Sequence, residues 1–392
     1  MRAANLAGRT HISNLDGLRA LAVFLVLLHH FGPYSTPLLW RIRPVGWVGV
    51  DMFFVLSGFL ITGILLRTRR RADYYRAFYV RRSLRIFPLY YCVLTGILLS
   101  MYWWDHGEPL RALLTKWGNP IWYWLYAGNI KSALIGSGPP SASLIPLWSL
   151  HVEEQFYLLF PFVVRHLRIR TLLRTLVWII ILSPLLRFAL WELNPTNVHL
   201  QYDLLPSRLD GLAMGAFIAV RIRFPWKIPE RRLVIATLAA LSLAYGSYVL
   251  LGHNDWQQPF SRIVSYSAFS AAFACILLYV VRFQESRALR WLHAAPLRFI
   301  GRISYGLYLF QYPAAAMLGA LLATTPLWHS EMGRLVTIAT VTTLLATLSW
   351  YALERPMLAL KDRFAPPDGE RGSRIQATAA LPGGQPAEPV AE

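Results

Sequence analysis

The sequence predicts an all-α, polytopic membrane protein of about ten transmembrane helices, and three observations carry that expectation. Of its 392 residues 55% are hydrophobic and only 15% charged, where a soluble domain carries roughly a quarter. Apolar stretches long enough for a helix to cross a hydrocarbon core of about 30 Å recur along the chain. Lys and Arg collect in alternate connections. Roughly 29 of the 39 fall in the N-terminus, 67–85, 165–174, 221–232, 282–302 and the stretch after Glu354, against about seven in the other set, so the first set and both termini are expected to be cytoplasmic. A net charge of +19 would suggest a nucleic-acid binder in a soluble chain. This distribution assigns it to a lipid bilayer instead, and no nucleic-acid partner is expected.

In chain order, residues 1–14 read as a cytoplasmic N-terminus and 15–357 as a single membrane domain. The tail 365–392 is rich in Pro, Gly and Ala and reads as disordered and cytoplasmic. Spans are expected near 15–31, 47–66, 86–104, 147–164, 175–193, 207–222, 232–251, 260–281, 299–322 and 333–353. The first resembles a signal peptide in its basic start, but it lacks an A-x-A site and carries Asp16, Arg19, His29 and His30, so it reads as an uncleaved span. The aromatic stretch NPIWYWLYAGN near 119–130 would break the alternation if it crossed fully. Its Trp and Tyr favour interfacial depth, so it reads as an outer re-entrant or interfacial segment. SNLDGLRALA at 13–22 and SRLDGLAMGA at 207–216 share six of ten residues. Both fit helix starts capped by a serine, and the echo would suit a weak inverted repeat, although capped helix starts also converge. Cys92 and Cys275 sit in apolar runs and read as buried small residues.

Ionisable groups inside apolar helices are costly and so are functional candidates. Arg19 and His30 are eleven residues apart, close to three turns, which puts them on one face about 16 Å apart along the axis. Arg82 and Arg85 share a helical face just before the third span, and guanidinium forks suit phosphate oxygens; membrane anchoring is the plainer reading of the other arginines there. WSLHVEEQFY opens the fourth span, where Glu153 and Tyr157 share a face and Glu154 points about 100° away. Trp148 and Ser149 precede the pair, while His151 reads as an interfacial polar residue. Asp51 in the second span reads as the partner of a buried cation or histidine, with an interfacial cap as the alternative, and Ser57–Gly58 as a close-packing point. Arg208 and Asp210 could simply pair with each other, and Arg187 could snorkel. Gly301, Ser304 and Gly306, next to Tyr305, read as further packing positions. No Walker loop, HExxH or GxSxG elbow occurs, which argues against ATP hydrolysis, zinc proteolysis and a soluble-type serine esterase. No metal site is expected.

Together, LDGLRALA with Arg19-x10-His30, GVDMFFVLSGFLI, Arg82-x-x-Arg85, WSLHVEEQFYLLFP, SRLDGLAMGAF and GRISYGLYLFQYP resemble, in this order, the acyltransferase-3 family of bacterial integral membrane acyltransferases. The resemblance covers about residues 10–360. It implies a multi-pass protein of the bacterial plasma (inner) membrane that O-acetylates a surface carbohydrate or glycoside. Acetyl-CoA or another short acyl-CoA would be the donor substrate, with no tightly bound cofactor. It further implies His30 as the essential histidine, Arg19 as its basic companion, Arg82 and Arg85 as the donor-binding pair, and Glu153 as the motif glutamate. Asp51, Ser57, Trp148, Ser149, Arg208, Asp210, Ser304 and Tyr305 would support them. The expected mechanism has His30 acting as general base on the acceptor hydroxyl with Glu153 orienting its ring, or forming an acyl-histidine. Gln311 stands where the family often has His and is assigned no catalysis. The extracytoplasmic esterase-like domain fused to some members is not found in this sequence, so a second transfer would need a separate partner protein. Two rival readings are a secondary transporter of an anionic solute, which needs no acyl-CoA turnover, and a non-catalytic envelope-assembly component, which tolerates alanine at His30 and Glu153.

Overall fold

The computed structural model describes residues 14–36, 39, 42–104, 118–225, 228–252 and 261–364. Ser13 and the 365–392 tail lie outside them. The described residues form helices and turns without strands. The long helices are α1 Asn14–Phe31, α2 Val48–Thr68, α3 Tyr74–Trp104, α6 Leu147–His166, α7 Ile169–Leu193, α9 Leu205–Arg221, α10 Glu230–Gly252, α11 Tyr266–Arg282, α13 Ser304–Leu322 and α15 Glu331–Ser349. Between them run short helices α4 Ile121–Trp124, α5 Gly128–Ile135, α8 Val198–Tyr202, α12 Ala295–Arg302 and α14 Pro326–His329, and α16 Arg355–Phe364 follows α15. Helices therefore occupy all ten predicted stretches. Seven among the described residues are long and apolar enough to cross a membrane on length and composition alone. The helices at 147–166, 205–221 and 304–322 are not among the seven: α6 carries Glu153 and Glu154, α9 is 17 residues long, and α13 holds Gln311 and four tyrosine or proline neighbours within its first turns.

The outer faces explain why the apolar count is so high. On α7, Val177, Trp178, Ile181, Leu182, Leu185 and Phe188 are exposed, a side-by-side apolar surface suited to lipid rather than water. This surface also corrects the expectation for the cysteines. Cys92 is exposed and Cys275 half-buried, because an apolar run in a membrane helix has a lipid side as well as a protein side.

Inside, the most extensive packing is between α2 and α9, and glycine makes it. A methyl group at Gly58 would overlap the Leu212 carbonyl, and one at Gly215 the Val55 carbonyl. Gly211 and Gly215 are four apart on α9, the small-xxx-small spacing that lets membrane helices touch by backbone. Gly301 on α12 meets the Asp16 carbonyl in the same manner, and Gly306 on α13 packs on Ala346, as expected for packing positions. Gly58→Ala should therefore overpack the crossing and cost about 1–3 kcal/mol, checked as a lowered melting temperature of the detergent-solubilised protein; an unchanged value would mean the two helices can separate freely.

α3 begins at Tyr74, well before the expected span, so Arg76, Arg81, Arg82 and Arg85 lie in its first turns and Arg82 and Arg85 do share a helix. The aromatic stretch near 119–130 is two helices of four and eight residues. At 1.5 Å per residue neither can span. Between them Tyr126 adopts φ 53°, a left-handed conformation uncommon for a bulky residue. Its ring stacks on Tyr90 at 4.1 Å, and its carbonyl accepts from Gln155 Nε2 at 2.9 Å, so surrounding contacts hold the turn. The serine-cap expectation fails at α9: Leu204 is the cap, Pro206 lies in the first turn, and Ser207 is inside the helix donating to the Leu200 carbonyl.

Candidate active site

Two cavities lie back to back in the helix bundle. The first, about 110 Å³, is lined by Arg19 of α1, Ser57 of α2, Arg82 and Arg85 of α3, Ser149, Glu153, Glu154 and Tyr157 of α6, and Ser304, Tyr305 and Tyr308 of α13. Three guanidinium groups and two carboxylates thus share one small space. The Tyr157 hydroxyl donates to Glu153 Oε2 at 3.2 Å and also meets the Ser57 hydroxyl. The Arg82 guanidinium stands 5.5 Å over the Tyr157 ring, and Tyr305 donates to the Ile86 carbonyl at 2.9 Å, tying α13 to α3. Glu154 was expected to face elsewhere. Flexible side chains 100° apart on one helix nevertheless reach a common cavity, and both glutamates line it.

The second cavity is larger, about 340 Å³. His29 and His30 at the end of α1, Trp47, Trp148, Tyr202, Tyr308 and Tyr312 form much of its wall. Tyr123, Asn129, Ser132 and His151 close one side, and His199 and Asp203 another. Val50 and Tyr308 line both cavities and form their common partition. The Tyr308 hydroxyl is bonded to Ser149 Oγ at 2.7 Å, which fixes the ring in that position. Trp148 packs against Tyr202, ring centres 4.4 Å apart. His199 Nδ1 and Asp203 Oδ2 are 2.7 Å apart. Burial pushes the Asp203 carboxyl up from its ordinary value, and the His199 bond draws it back.

The expected His30–Glu153 pair does not form. His30 lines the larger cavity, and its Nδ1 is 2.9 Å from Gln311 Oε1. Glu153 lines the smaller one beside the arginines. Six residues into α6, Glu153 lies deep enough to join Arg19 rather than the last turn of α1, a depth the sequence alone does not compare. Gln311, which was set aside, is fully buried and makes the only side-chain hydrogen bond found for His30 among the described residues. A polar amide inside the apolar helix SYGLYLFQYP was the signal.

Asp51, Arg208 and Asp210 are also placed differently. Arg208 pairs with Asp51, not Asp210, and its guanidinium lies 4.2 Å over the Tyr266 ring. Asp210 instead takes Arg187 Nη2 at 2.9 Å and the Ser267 hydroxyl at 2.6 Å. Arg187 is fully buried, not snorkelling, and it also donates to the Ser207 carbonyl. These two pairs line neither cavity. They lock α2, α7, α9 and α11 together. Asp51 is thus the partner of a buried cation, as the sequence suggested.

His151 is fully buried within the protein. The Asn129 N–H donates to its Nδ1 at 3.3 Å, so Nε2 bears the proton and donates to the Tyr90 hydroxyl at 2.9 Å. Tyr90 in turn donates to the Tyr123 carbonyl at 2.7 Å. Both ring nitrogens are occupied in holding the 119–130 segment against α3 and α6. Of the aromatic residues near 119–130, Tyr123 lines the larger cavity, while Trp124 stacks on Tyr91 at 5.2 Å.

A family model described as an acyltransferase domain matches residues 12–354. The chain belongs to the acyltransferase-3 family. It is 28% identical over 371 residues to the peptidoglycan O-acetyltransferase of Listeria monocytogenes, covering 91% of this chain and 57% of that protein. It is 27% identical over 335 residues to an O-acetyltransferase of Staphylococcus aureus, covering 77% of this chain and 50% of that protein. The chain thus spans about half the length of the curated relatives it matches. No solved structure matches it. The acyltransferase match takes in both cavities and every residue that lines them.

Proposed function

We propose that this chain is a membrane O-acetyltransferase that moves an acetyl or other short acyl group from acyl-CoA to a hydroxyl of a cell-envelope carbohydrate, with cell-wall glycan the first candidate from its relatives. The observation that carries the reading is the pair of cavities with one shared partition. Arg19, Arg82 and Arg85 offer an acyl-CoA the guanidinium forks that suit phosphate. His30 and the ring of tryptophan and tyrosine side chains offer an acceptor a base and flat apolar faces, the mix of apolar wall and few polar groups usual in ligand sites. In the reading, the ten helices all cross the plasma membrane with both termini in the cytoplasm, which puts the arginine cavity on the CoA-containing side.

The chemistry balances without a cofactor. The acceptor hydroxyl gives its proton to His30 as its oxygen attacks the thioester carbonyl carbon. The C–S bond then breaks, and the departing thiolate recovers the proton. The transfer occurs at the Val50–Tyr308 partition, which both cavities share. Glu153 and Glu154 belong to the donor side in this scheme, where they balance the three cations and keep the arginines in place. An acyl-histidine relay uses the same groups in two steps.

The direct test is turnover of acetyl-CoA by the purified protein with a soluble N-acetylglucosamine oligomer as acceptor. Arg85→Ala is expected to weaken acetyl-CoA binding roughly tenfold or more, the worth of a lost charge-assisted contact of about 1.5–3 kcal/mol, with acceptor KM nearly unchanged. Equal loss on both substrates would make Arg85 a folding residue. Solute flux across vesicles without CoA release would overturn the transferase reading in favour of transport.

A further inference from the structure

We propose that Gln311 is the positioning residue of His30: it fixes the imidazole as the Nδ1–H tautomer and so leaves Nε2 as the base for the acceptor hydroxyl. The inference rests on the acyl-transfer reading for its kinetic consequence, but not for its geometry.

Two contacts decide it. Gln311 Oε1 lies 2.9 Å from His30 Nδ1, and Gln311 Nε2 donates to the Tyr308 carbonyl at 3.0 Å. A carbonyl oxygen only accepts, so the amide NH2 must be the end facing Tyr308 and the amide oxygen the end facing His30. Flipping the side chain would set oxygen against oxygen on one side. An amide oxygen carries no proton, hence Nδ1 must supply one. In its neutral form the ring then carries its lone pair on Nε2, the form a general base needs. Gln311 is fully buried, so water does not compete for either end. The Tyr312 ring, 4.7 Å from that of His30, and Phe31 at 5.9 Å restrict rotation of the imidazole.

The arrangement differs from a Ser-His-Asp triad in one physical respect. There a carboxylate both selects the tautomer and stabilises the imidazolium. Here a neutral amide selects the tautomer, while the charge that His30 carries between taking and returning the proton has only a dipole opposite it. The geometry favours a brief imidazolium, with the proton passed on to the thiolate as the C–S bond breaks. Tyr308 takes a double part: its side chain partitions the cavities and its carbonyl orients the amide that orients the base.

The experiment combines nitrogen NMR with kinetics on the full chain in nanodiscs. With 15N-histidine labelling and the His30 signals assigned by difference from His30→Gln, the wild type is expected to show Nδ1 protonated and Nε2 bare. Gln311→Met, of similar volume, should lose that preference and lower kcat for acetyl-CoA and the N-acetylglucosamine oligomer about 10- to 100-fold, with KM for acetyl-CoA unchanged. Gln311→Glu keeps an acceptor oxygen toward Nδ1 and should retain the tautomer. A wild-type His30 protonated on Nε2, or a Gln311→Met protein with wild-type kcat, overturns the proposal. The wild-type spectrum alone decides the tautomer if a variant misfolds. An Nδ1–H His30 in a protein that turns over no acetyl-CoA would leave the positioning intact and sink the transferase reading.

Discussion

His30→Ala is expected to abolish acyl transfer while leaving donor binding in place. A positioned general base contributes about 10²–10⁴-fold, and a covalent route through the same ring would make the loss larger. Folding should survive, because the side chain is half-buried and, among the described residues, makes one hydrogen bond, to Gln311. Donor affinity should survive because His30 lines the cavity away from Arg19, Arg82 and Arg85. The two measurements are the transfer rate to the glycan oligomer and acetyl-CoA binding by calorimetry. Transfer within a few-fold of wild type would remove His30 from the chemistry. The neighbouring His29→Ala is the internal comparison: His29 lines the same cavity with its Nδ1 on the Arg43 carbonyl at 3.1 Å, but the Arg19-x10-His30 motif points to its neighbour as the base, so a much smaller loss is expected.

Asp51→Ala should be the most destabilising single change at a charged position. Asp51 and Arg208 are 2% and 1% exposed, and removal of one partner leaves the other charged and dry, at a cost of about 3–5 kcal/mol. That is a large share of the net stability of about 5–15 kcal/mol typical of a folded protein, so the variant should accumulate poorly or melt early in detergent. The sharper test is reversal. Asp51→Leu combined with Arg208→Met removes both charges, and the pair should recover much of the loss, since apolar replacement of a buried ion pair is often neutral or better. The contacts of Arg208 with the Tyr266 face limit that recovery, because cation–π attraction goes too. A stable but inactive Asp51→Ala protein would instead place the pair in the reaction.

The two expectations separate chemistry from scaffold in a way the sequence did not. LDGLRALAVFLVLLHHF and WSLHVEEQFY announced themselves because ionisable groups in apolar helices are costly, and both do line cavities. The same rule flagged Asp51, Arg208 and Asp210, which turn out to hold four helices together. Cost alone says that a buried charge has a partner; it does not say whether that partner is a substrate or another side chain. Gln311 was set aside because it stands where the family often has His, yet it is the residue whose side chain hydrogen-bonds His30.

From the sequence by itself came the all-α membrane class, the ten helical stretches, the close-packing glycines and the residues worth testing. Hydropathy, charge distribution and residue size are local properties, and each of these follows from them. Only the tertiary structure decided that Arg19 and His30, on one face of α1, serve different cavities, that Glu153 lines the first, that Gln311 bonds to His30, and that Tyr308 divides the two. Those facts depend on the relative depth and rotation of helices far apart in the chain. Backbone contacts such as Gly58 on Leu212 and Gly301 on Asp16 set that depth and rotation, and no single helix encodes them.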